Sequence, residues 1–478
     1  MDLFDDAENF LLGNTPSNKT PTRAPHTDFG TPINGNCRTP ASNFGSRLKV
    51  TTPHSISRLA TKFKNPIEYV GESYVAPVIT DVRTTNLQIL GEPPTKQFLM
   101  RDGDVNAMLA RIGEQNSISA LGDETADDRS HNPIAFDVIH GIIVNDPSSS
   151  ESRLSGNSSY LLTTTGIINL DVSGVDKITI FPGMRVTFKG NYEMGGFKVM
   201  EVVEGESLKN AEYSGKHPTE FAVIAASGPF CEKDSSDLSK LYFLIQKAIT
   251  EKASVLILIG PFVTREQFYD HDTDHETFML ELWKNIYLEI VDSGLNIVVV
   301  PNAVSDGAAF PTYPTPAFKF SEKLNDQFKE RIKLVTDPAT FKINGVEFAV
   351  SSPDIVNNLN ATIYMKPAMN KDRIGVLCEQ LLTQASFYPL FPAADDVPVI
   401  DTQAAQELLK IKRIPHVLIC PSVLMQSIRC VKDCLFINPG RLVKPGGGSF
   451  LVLLFNLKSN EAIPNCVKHV KGDLFQLE

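Results

Sequence analysis

From residue 215 onward, short apolar runs alternate with amphipathic stretches, and few folds admit that pattern. Phe221–Ala225, Ser254–Ile259, Asn296–Val300, Phe341–Val350, His416–Ile419, Cys434–Ile437 and Phe450–Phe455 read as strands. Their near-continuous Val/Ile/Leu content marks strands buried on both faces, as parallel strands are. Leu238, Leu241, Ile245 and Ala248/Ile249 recur at helical spacing after the first run, and Phe278/Met279, Leu282, Ile286 and Ile290 after the second. Gly294 is placed to stop the second helix. The expected architecture is α/β: a layered sheet with helices on both faces. Val417–Cys420 and Cys434–Ile437 read as parallel strands joined by an amphipathic segment, with Cys430 on a helix. In such sheets chemistry sits just beyond the carboxyl ends of the strands.

Those ends are short of ligands. The first strand runs into Ala226-Ser227-Gly228-Pro229-Phe230 and the second into Gly260-Pro261-Phe262-Val263-Thr264. The third ends in Pro301-Asn302-Ala303, and the last pair in Cys420-Pro421-Ser422-Val423 and Asn438-Pro439-Gly440. The order resembles a calcineurin-like metallophosphoesterase, whose strands end in Asp-x-His, Gly-Asp-x-x-Asp, Gly-Asn-His, Gly-His-x-His and Asn-Pro-Gly. On that resemblance Ala226, Gly228, Pro261, Thr264, Asn302, Ala303, Pro421 and Val423 stand at former active-site positions. A two-metal site needs carboxylates and imidazoles there to activate water and clamp a phosphate. One remaining Asn does not hold a divalent ion. The resemblance therefore implies a retained scaffold with no catalytic residues, no metal and no cofactor.

The replacements themselves form a pattern. Ala-Ser-Gly-Pro-Phe (226–230), Gly-Pro-Phe (260–262), Tyr313-Pro314-Thr315-Pro316, Ile343-Asn344-Gly345-Val346, Tyr388-Pro389-Leu390-Phe391-Pro392 and Ile437-Asn438-Pro439-Gly440-Arg441-Leu442 occur in one order. Together they resemble the B-subunit family of DNA polymerase alpha, over roughly residues 68–478. That resemblance implies an inactivated phosphoesterase packed with an OB-fold barrel, and a non-catalytic scaffold in the polymerase–primase complex. It implies as partners the C-terminal region of the catalytic subunit and two primase subunits, and a nuclear location. Two rivals are the B subunit of another replicative polymerase and an active metal-dependent phosphodiesterase or exonuclease.

Composition is consistent with this reading. A chain of 478 residues is long for one core, and net charge −11 with pI near 5.4 argues against a broad basic groove for nucleic acid. Seven scattered Cys and no secretory leader point to a reducing compartment, so the sequons at Asn18, Asn157 and Asn360 carry little weight. No apolar run reaches the ~18 residues of a membrane span.

Four regions are expected: a Thr-Pro-rich segment over 1–67, a helical or extended lead-in over 68–131, an OB-like domain over 132–214 and the degenerate phosphoesterase over 215–478. Residues 1–64 hold eight Lys/Arg against five Asp/Glu and few large apolar residues, which predicts disorder. Thr15, Thr20, Thr31, Thr39 and Thr52 each precede Pro and are candidate phosphorylation sites. Phosphorylating all five would add about −8 to −10 of charge, reversing the local sign. Members of the resembled family begin with a small helical docking domain, for which Met1–Gly13 is too short.

In the OB-like region Phe136–Val144, Ser159–Leu170, Lys177–Ile180, Met184–Gly190 and Lys198–Val203 read as five short strands. Phe136, Tyr160, Phe188, Tyr192 and Phe197 are positioned to stack bases or to fill a core. Residues 132–204 carry eight acidic and five basic residues, which favours the core and makes any nucleic-acid contact weak or indirect.

Other clusters read as structural. His271-Asp272-Thr273-Asp274-His275 has metal-ligand residue types, but Asp274 sits where a helix start takes an N-cap. Cys430 and Cys434 lack a second pair at zinc spacing. Gly446-Gly447-Gly448 lacks a P-loop ending, and Ser422 lacks a nucleophile elbow.

Overall fold

In a computed structural model of the chain, the described residues are 79–80, 136–145, 153–156, 159–205, 207–213, 220–232, 237–263, 275–302, 312–318, 326–367, 372–445, 447–457 and 469–477. The elements they form lie in the unit Leu48–Glu478. The five Thr-Pro threonines, the lead-in over 68–131 apart from Ile79–Thr80, Thr264, His271–Asp274, Ala303 and Gly446 lie outside them.

After β1 (Ile79–Thr80), the chain forms β2 (Asp137–Asn145), β3 (Ser159–Thr163), β4 (Gly166–Asp171), β5 (Ile178–Ile180), β6 (Arg185–Glu193) and β7 (Gly196–Val203). Five of these close a barrel in the order β2-β3-β4-β7-β6. Its single parallel pair, Leu170 opposite Phe197, gives the connectivity of an OB fold. Two expected strands are corrected here. Ser159–Leu170 is a hairpin, turned at Thr163 and Gly166, and Lys177–Ile180 lies outside the barrel, where β5 pairs with β15 (Tyr364–Lys366). Phe188 and Phe197 fill the barrel core, whereas Phe136 and Tyr192 are exposed. Tyr192 rests edge-on against Phe197 with ring centroids 5.1 Å apart.

The remainder begins with β8 (Glu220–Ser227), α1 (Ser239–Thr250), β9 (Val255–Ile259), α2 (His275–Ile290) and β10 (Asn296–Val300), which are two parallel crossovers. The chain continues through β11 (Thr312–Tyr313), α3 (Asp326–Arg331), β12 (Ile332–Leu334), β13 (Ala339–Ile343), β14 (Val346–Val350) and α4 (Ile355–Thr362). Beyond β15 come α5 (Arg373–Thr383), β16 (Val399–Ile400), α6 (Thr402–Leu408), β17 (Val417–Ile419), β18 (Ser427–Val431), β19 (Cys434–Asn438), β20 (Gly448–Asn456) and β21 (Val470–Leu477). Two six-stranded sheets result, ordered β12-β10-β9-β8-β20-β21 and β1-β13-β14-β17-β19-β18.

The sheets share an apolar layer containing Val223, Ile257, Val298, Phe341, Phe348, Ile419, Ile437 and Phe455. At about 25 cal/mol per Å² of apolar area, each fully buried Phe contributes roughly 2–3 kcal/mol. Alternate residues of the first sheet, Ile224, Leu256, Leu258 and Ile297, pack instead against Leu241 and Leu244 of α1 and Trp283 and Ile286 of α2. Leu418 and Phe436 of the second sheet pack outward with Leu359 of α4 and Leu377 of α5. The expected layered sheet is therefore two sheets face to face with helices outside both.

Three local expectations also change. Phe341–Val350 is the hairpin β13–β14, turned at Asn344 (φ 48) and Gly345 (φ 79). Cys430 lies on β18, not on a helix; Lys432 (φ 48) and Asp433 (φ 63) turn the chain back so that β18 runs antiparallel to β19. Helix α2 ends at Ile290, whose carbonyl accepts the Ser293 N–H at 2.9 Å, rather than at Gly294.

Barrel and layered domain share one core: Phe181 and Phe188 cluster with Leu359, Leu377 and Tyr388. Phe391 N donates to Pro182 O at 3.1 Å, and the Gln384 side chain exchanges hydrogen bonds with the Arg185 backbone at 2.8 and 3.1 Å. Gly183, at φ 89, leaves room for the 389–391 backbone to approach. Among the described residues no helix is long and apolar enough to cross a membrane.

Candidate functional site

The strand ends converge on one cleft of about 210 Å³, lined by residues that follow β8, β9, β10, β14, β17 and β19. At the ends of β8 and β9 the chain turns through cis Gly228-Pro229 and cis Gly260-Pro261. Gly228 N donates to Ile259 O at 2.8 Å and Gly260 N to Val300 O at 2.9 Å, so the sheet ladder continues into both turns. A Cβ on Gly228 would overlap the Pro261 carbonyl oxygen and lie 2.8 Å from its carbon. That position admits no side chain, and hence no ligand.

Asn302 remains in place but serves structure. Its Nδ2 donates to Ser352 Oγ at 3.1 Å. Ser352 in turn donates Oγ–H to Asp337 Oδ2 at 2.5 Å and N–H to Oδ1 at 2.9 Å. Asp337 is wholly buried, and these charge-assisted bonds satisfy both of its oxygens. Nearby, Tyr313 shares a 2.8 Å hydrogen bond with Ser351 Oγ. Burial, and then the Asp337 carboxylate, push the Tyr313 hydroxyl well above the usual tyrosine range. Burial likewise raises the Cys420 thiol, so it is not a thiolate nucleophile.

Asn438, the first residue of Asn-Pro-Gly, is a bracket. Its Oδ1 accepts from Ser422 N and Gly440 N, both at 2.9 Å, and its Nδ2 donates to Leu424 O at 3.1 Å and Met425 O at 3.4 Å. Asp354 braces the same loop: Oδ2 accepts from Val423 N at 2.7 Å while Oδ1 caps α4 at Asn357 N, 3.1 Å away. Gly440, at φ 74, makes the turn that brings Arg441 to the cleft rim.

Of the positions that the phosphoesterase resemblance marks, Gly228, Pro261, Asn302 and Pro421 line the cleft. Ala226 packs on the helix side of its sheet, and Val423 is exposed beside the cleft. Among the described residues no three His, Cys, Asp or Glu side chains come together as a metal site. The donors lining the cleft are hydroxyls, amides and two carboxylates, with no imidazole, and of the carboxylates Asp354 is committed to the Val423 and Asn357 N–H groups; this set does not fit a two-metal centre. Sequence reasoning missed Asp337, Ser352 and Asp354. Nothing local marks Asp337 and Ser352, which meet across 15 residues, whereas Asp354 carries a local N-cap signal three residues before Asn357, and only its bond to Val423, 69 residues away, is hidden from the sequence.

Known proteins match this chain along much of its length. The family model for the B subunit of DNA polymerase alpha/epsilon matches residues 223–429. The DNA polymerase alpha B subunit of Caenorhabditis elegans is 27% identical over 349 residues, covering 69% of this chain and 58% of its own. The Mus musculus protein is 30% identical (59% of this chain, 48% of its own) and the Drosophila melanogaster protein 32% identical (59% and 45%). These matches point to the B-subunit family of DNA polymerase alpha. The chain spans about half the length of the relatives it matches. Among solved structures, an archaeal phosphodiesterase overlays 48% of this chain and 92% of its own at 14% identity and TM-score 0.24.

Proposed function

We propose that this chain is a non-catalytic accessory component of the DNA polymerase alpha–primase complex. It would bind the C-terminal region of the catalytic subunit and hold polymerase and two primase subunits together during primer synthesis in the nucleus. One observation carries the reading. The strand ends that would hold two metals in a phosphoesterase are occupied by Gly-Pro turns and by an Asn–Ser–Asp chain of hydrogen bonds. Such a site binds no nucleophilic water, and what remains is a rigid surface. Permanent subunit interfaces commonly bury more than ~2,000 Å², an area that two domains sharing a core can offer. The Thr-Pro segment over 1–67 would add regulation by phosphorylation at Thr15, Thr20, Thr31, Thr39 or Thr52.

The test is affinity purification of the full chain from proliferating cells at moderate salt. Stoichiometric recovery of a polymerase catalytic subunit and two primase subunits is expected. Recovery of the chain alone, with manganese-dependent nuclease activity in the same fractions, would overturn the reading.

A further inference from the structure

Charge is unevenly placed along the chain. Residues 65–478 hold 37 Lys/Arg against 51 Asp/Glu, whereas residues 38–64 hold six Lys/Arg and no carboxylate side chain. The cations of the body are neutralised as well as outnumbered. Among the described residues, nine Lys or Arg side chains lie within 3.9 Å of a carboxylate oxygen. On the barrel, Lys189 pairs with Glu201 at 3.7 Å and Lys198 with Glu193 at 3.3 Å, so the β6–β7 ladder offers a phosphate no net positive charge there. Arg38, Arg47, Lys49, Arg58, Lys62 and Lys64 lack such neighbours in sequence, the flanking acids being Asp28 and Glu68. Phe44 and Phe63 are interleaved with them. Fifteen residues beyond Lys64, β1 ties the chain to the edge of the second sheet, Ile79 opposite Ile343 and Thr80 opposite Lys342.

We propose that residues 38–64 bind single-stranded nucleic acid, as an arm tethered to the layered domain through β1. The six cations would track phosphates while Phe44 and Phe63 stack on bases. This function goes beyond the accessory-subunit reading and does not depend on it. Interleaved aromatics favour a single strand over a duplex, whose bases are already stacked. An anionic membrane is a poorer fit, since Ile56, Leu59 and Phe63 span eight residues, short of the ~12 that a stable amphipathic helix needs. Thr39 and Thr52 lie within the arm, which gives it a control. A proline-directed kinase would transfer the γ-phosphoryl group of ATP to each hydroxyl oxygen, with ADP leaving and the hydroxyl proton released. Two such groups add about −3 to −4 of charge, cancelling at least half of the arm's cations.

The experiment titrates the purified full chain into a fluorescently labelled oligothymidine and reads Kd by anisotropy between about 50 and 200 mM salt. At about 0.7 counterions released per phosphate of a single strand, six contacts give a slope of log K against log salt near −4. Arg47→Ala/Lys49→Ala/Lys62→Ala/Lys64→Ala should flatten that slope by about 3 and weaken binding about tenfold or more. Phe44→Ala/Phe63→Ala should weaken binding about fivefold or more at unchanged slope. Thr39→Glu/Thr52→Glu should weaken it in the same direction as the lysine and arginine losses. Lys189→Ala/Lys198→Ala on the barrel is the control, expected at wild-type affinity. Unchanged thermal unfolding shows that each arm variant keeps the fold. No binding by the wild-type chain, or wild-type affinity in the fourfold arm variant, overturns the proposal. Equal competition by polyglutamate, or tighter binding to phosphatidylserine vesicles, overturns it in favour of an acidic protein or a membrane surface.

Discussion

Gly228→Ala should destabilise the layered domain far more than a methyl group ordinarily does. The added Cβ would lie within 3 Å of three backbone atoms of Pro261, its oxygen, carbon and nitrogen. A side chain could swing aside, but a backbone held in a sheet ladder cannot. Relief requires the ends of β8 and β9 to part. That strains Gly228 N to Ile259 O (2.8 Å) and the neighbouring bond from Gly260 N to Val300 O (2.9 Å). Overpacking costs about 1–3 kcal/mol, and each weakened hydrogen bond adds roughly 1 kcal/mol. With two such bonds the sum is about 3–5 kcal/mol. At ~2–4 °C per kcal/mol for a large domain, this corresponds to a Tm lower by about 6–20 °C. Gly205→Ala is the control, since a Cβ there meets nothing within 4 Å. Differential scanning fluorimetry of both variants beside wild type makes the comparison. A Gly228→Ala Tm within a degree of wild type would refute the reasoning that the Pro261 backbone fills the space a side chain at 228 would need.

Other expectations follow from the same contacts. Burial, then Arg413 and Lys342, depress His416 from 6.5 to about 4, so the unfolded chain binds the extra proton as pH falls between those values. Stability present above pH 6.5 should therefore be lost progressively toward pH 4, by about 3 kcal/mol, and His416→Asn should flatten urea-measured stability across that window. Arg413→Ala leaves Glu347 buried without its paired guanidinium, whose Nε lies 2.7 Å from Oε2. Because Arg413 is itself partly exposed, a loss of about 2–3 kcal/mol is expected by chemical denaturation, largely recovered in the Arg413→Ala/Glu347→Gln double variant. Asn438→Ala removes the four hydrogen bonds of the bracket and should cost about 2–4 kcal/mol, with new protease cleavage at residues 422–425 visible by mass spectrometry.

Strand content is legible in the sequence where burial is total. Val255–Ile259 and Asn296–Val300 are buried at every position, and their unbroken apolar runs announce parallel strands. Hairpins are less legible. Asn344-Gly345 is a strong turn signal, yet it sits inside an apolar run that reads as one strand. Lys432-Asp433 turns the chain with no glycine at all, so β18 passes for a helix. Sheet membership is not legible either. Residue alternation gives the two faces of a strand but not which strands stack across from it, so two sheets read as one. At the site, the loss of ligands is plain in the residues themselves. Their replacement by hydrogen-bonded structure is not: Asn302–Ser352–Asp337 and Val423–Asp354 join segments remote in sequence, and only the folded sheets bring them together. Asn438 stands out as part of a motif, though its bracing role depends on a loop conformation that spacing does not encode.

The most direct test of a phosphoesterase frame without its chemistry is calorimetric titration of the full chain with manganese, alongside hydrolysis of a phosphodiester substrate. No saturable metal binding and no metal-dependent turnover are predicted, because the strand ends are committed to backbone and to Asn–Ser–Asp hydrogen bonds. Two saturable manganese sites with metal-dependent hydrolysis would contradict that prediction.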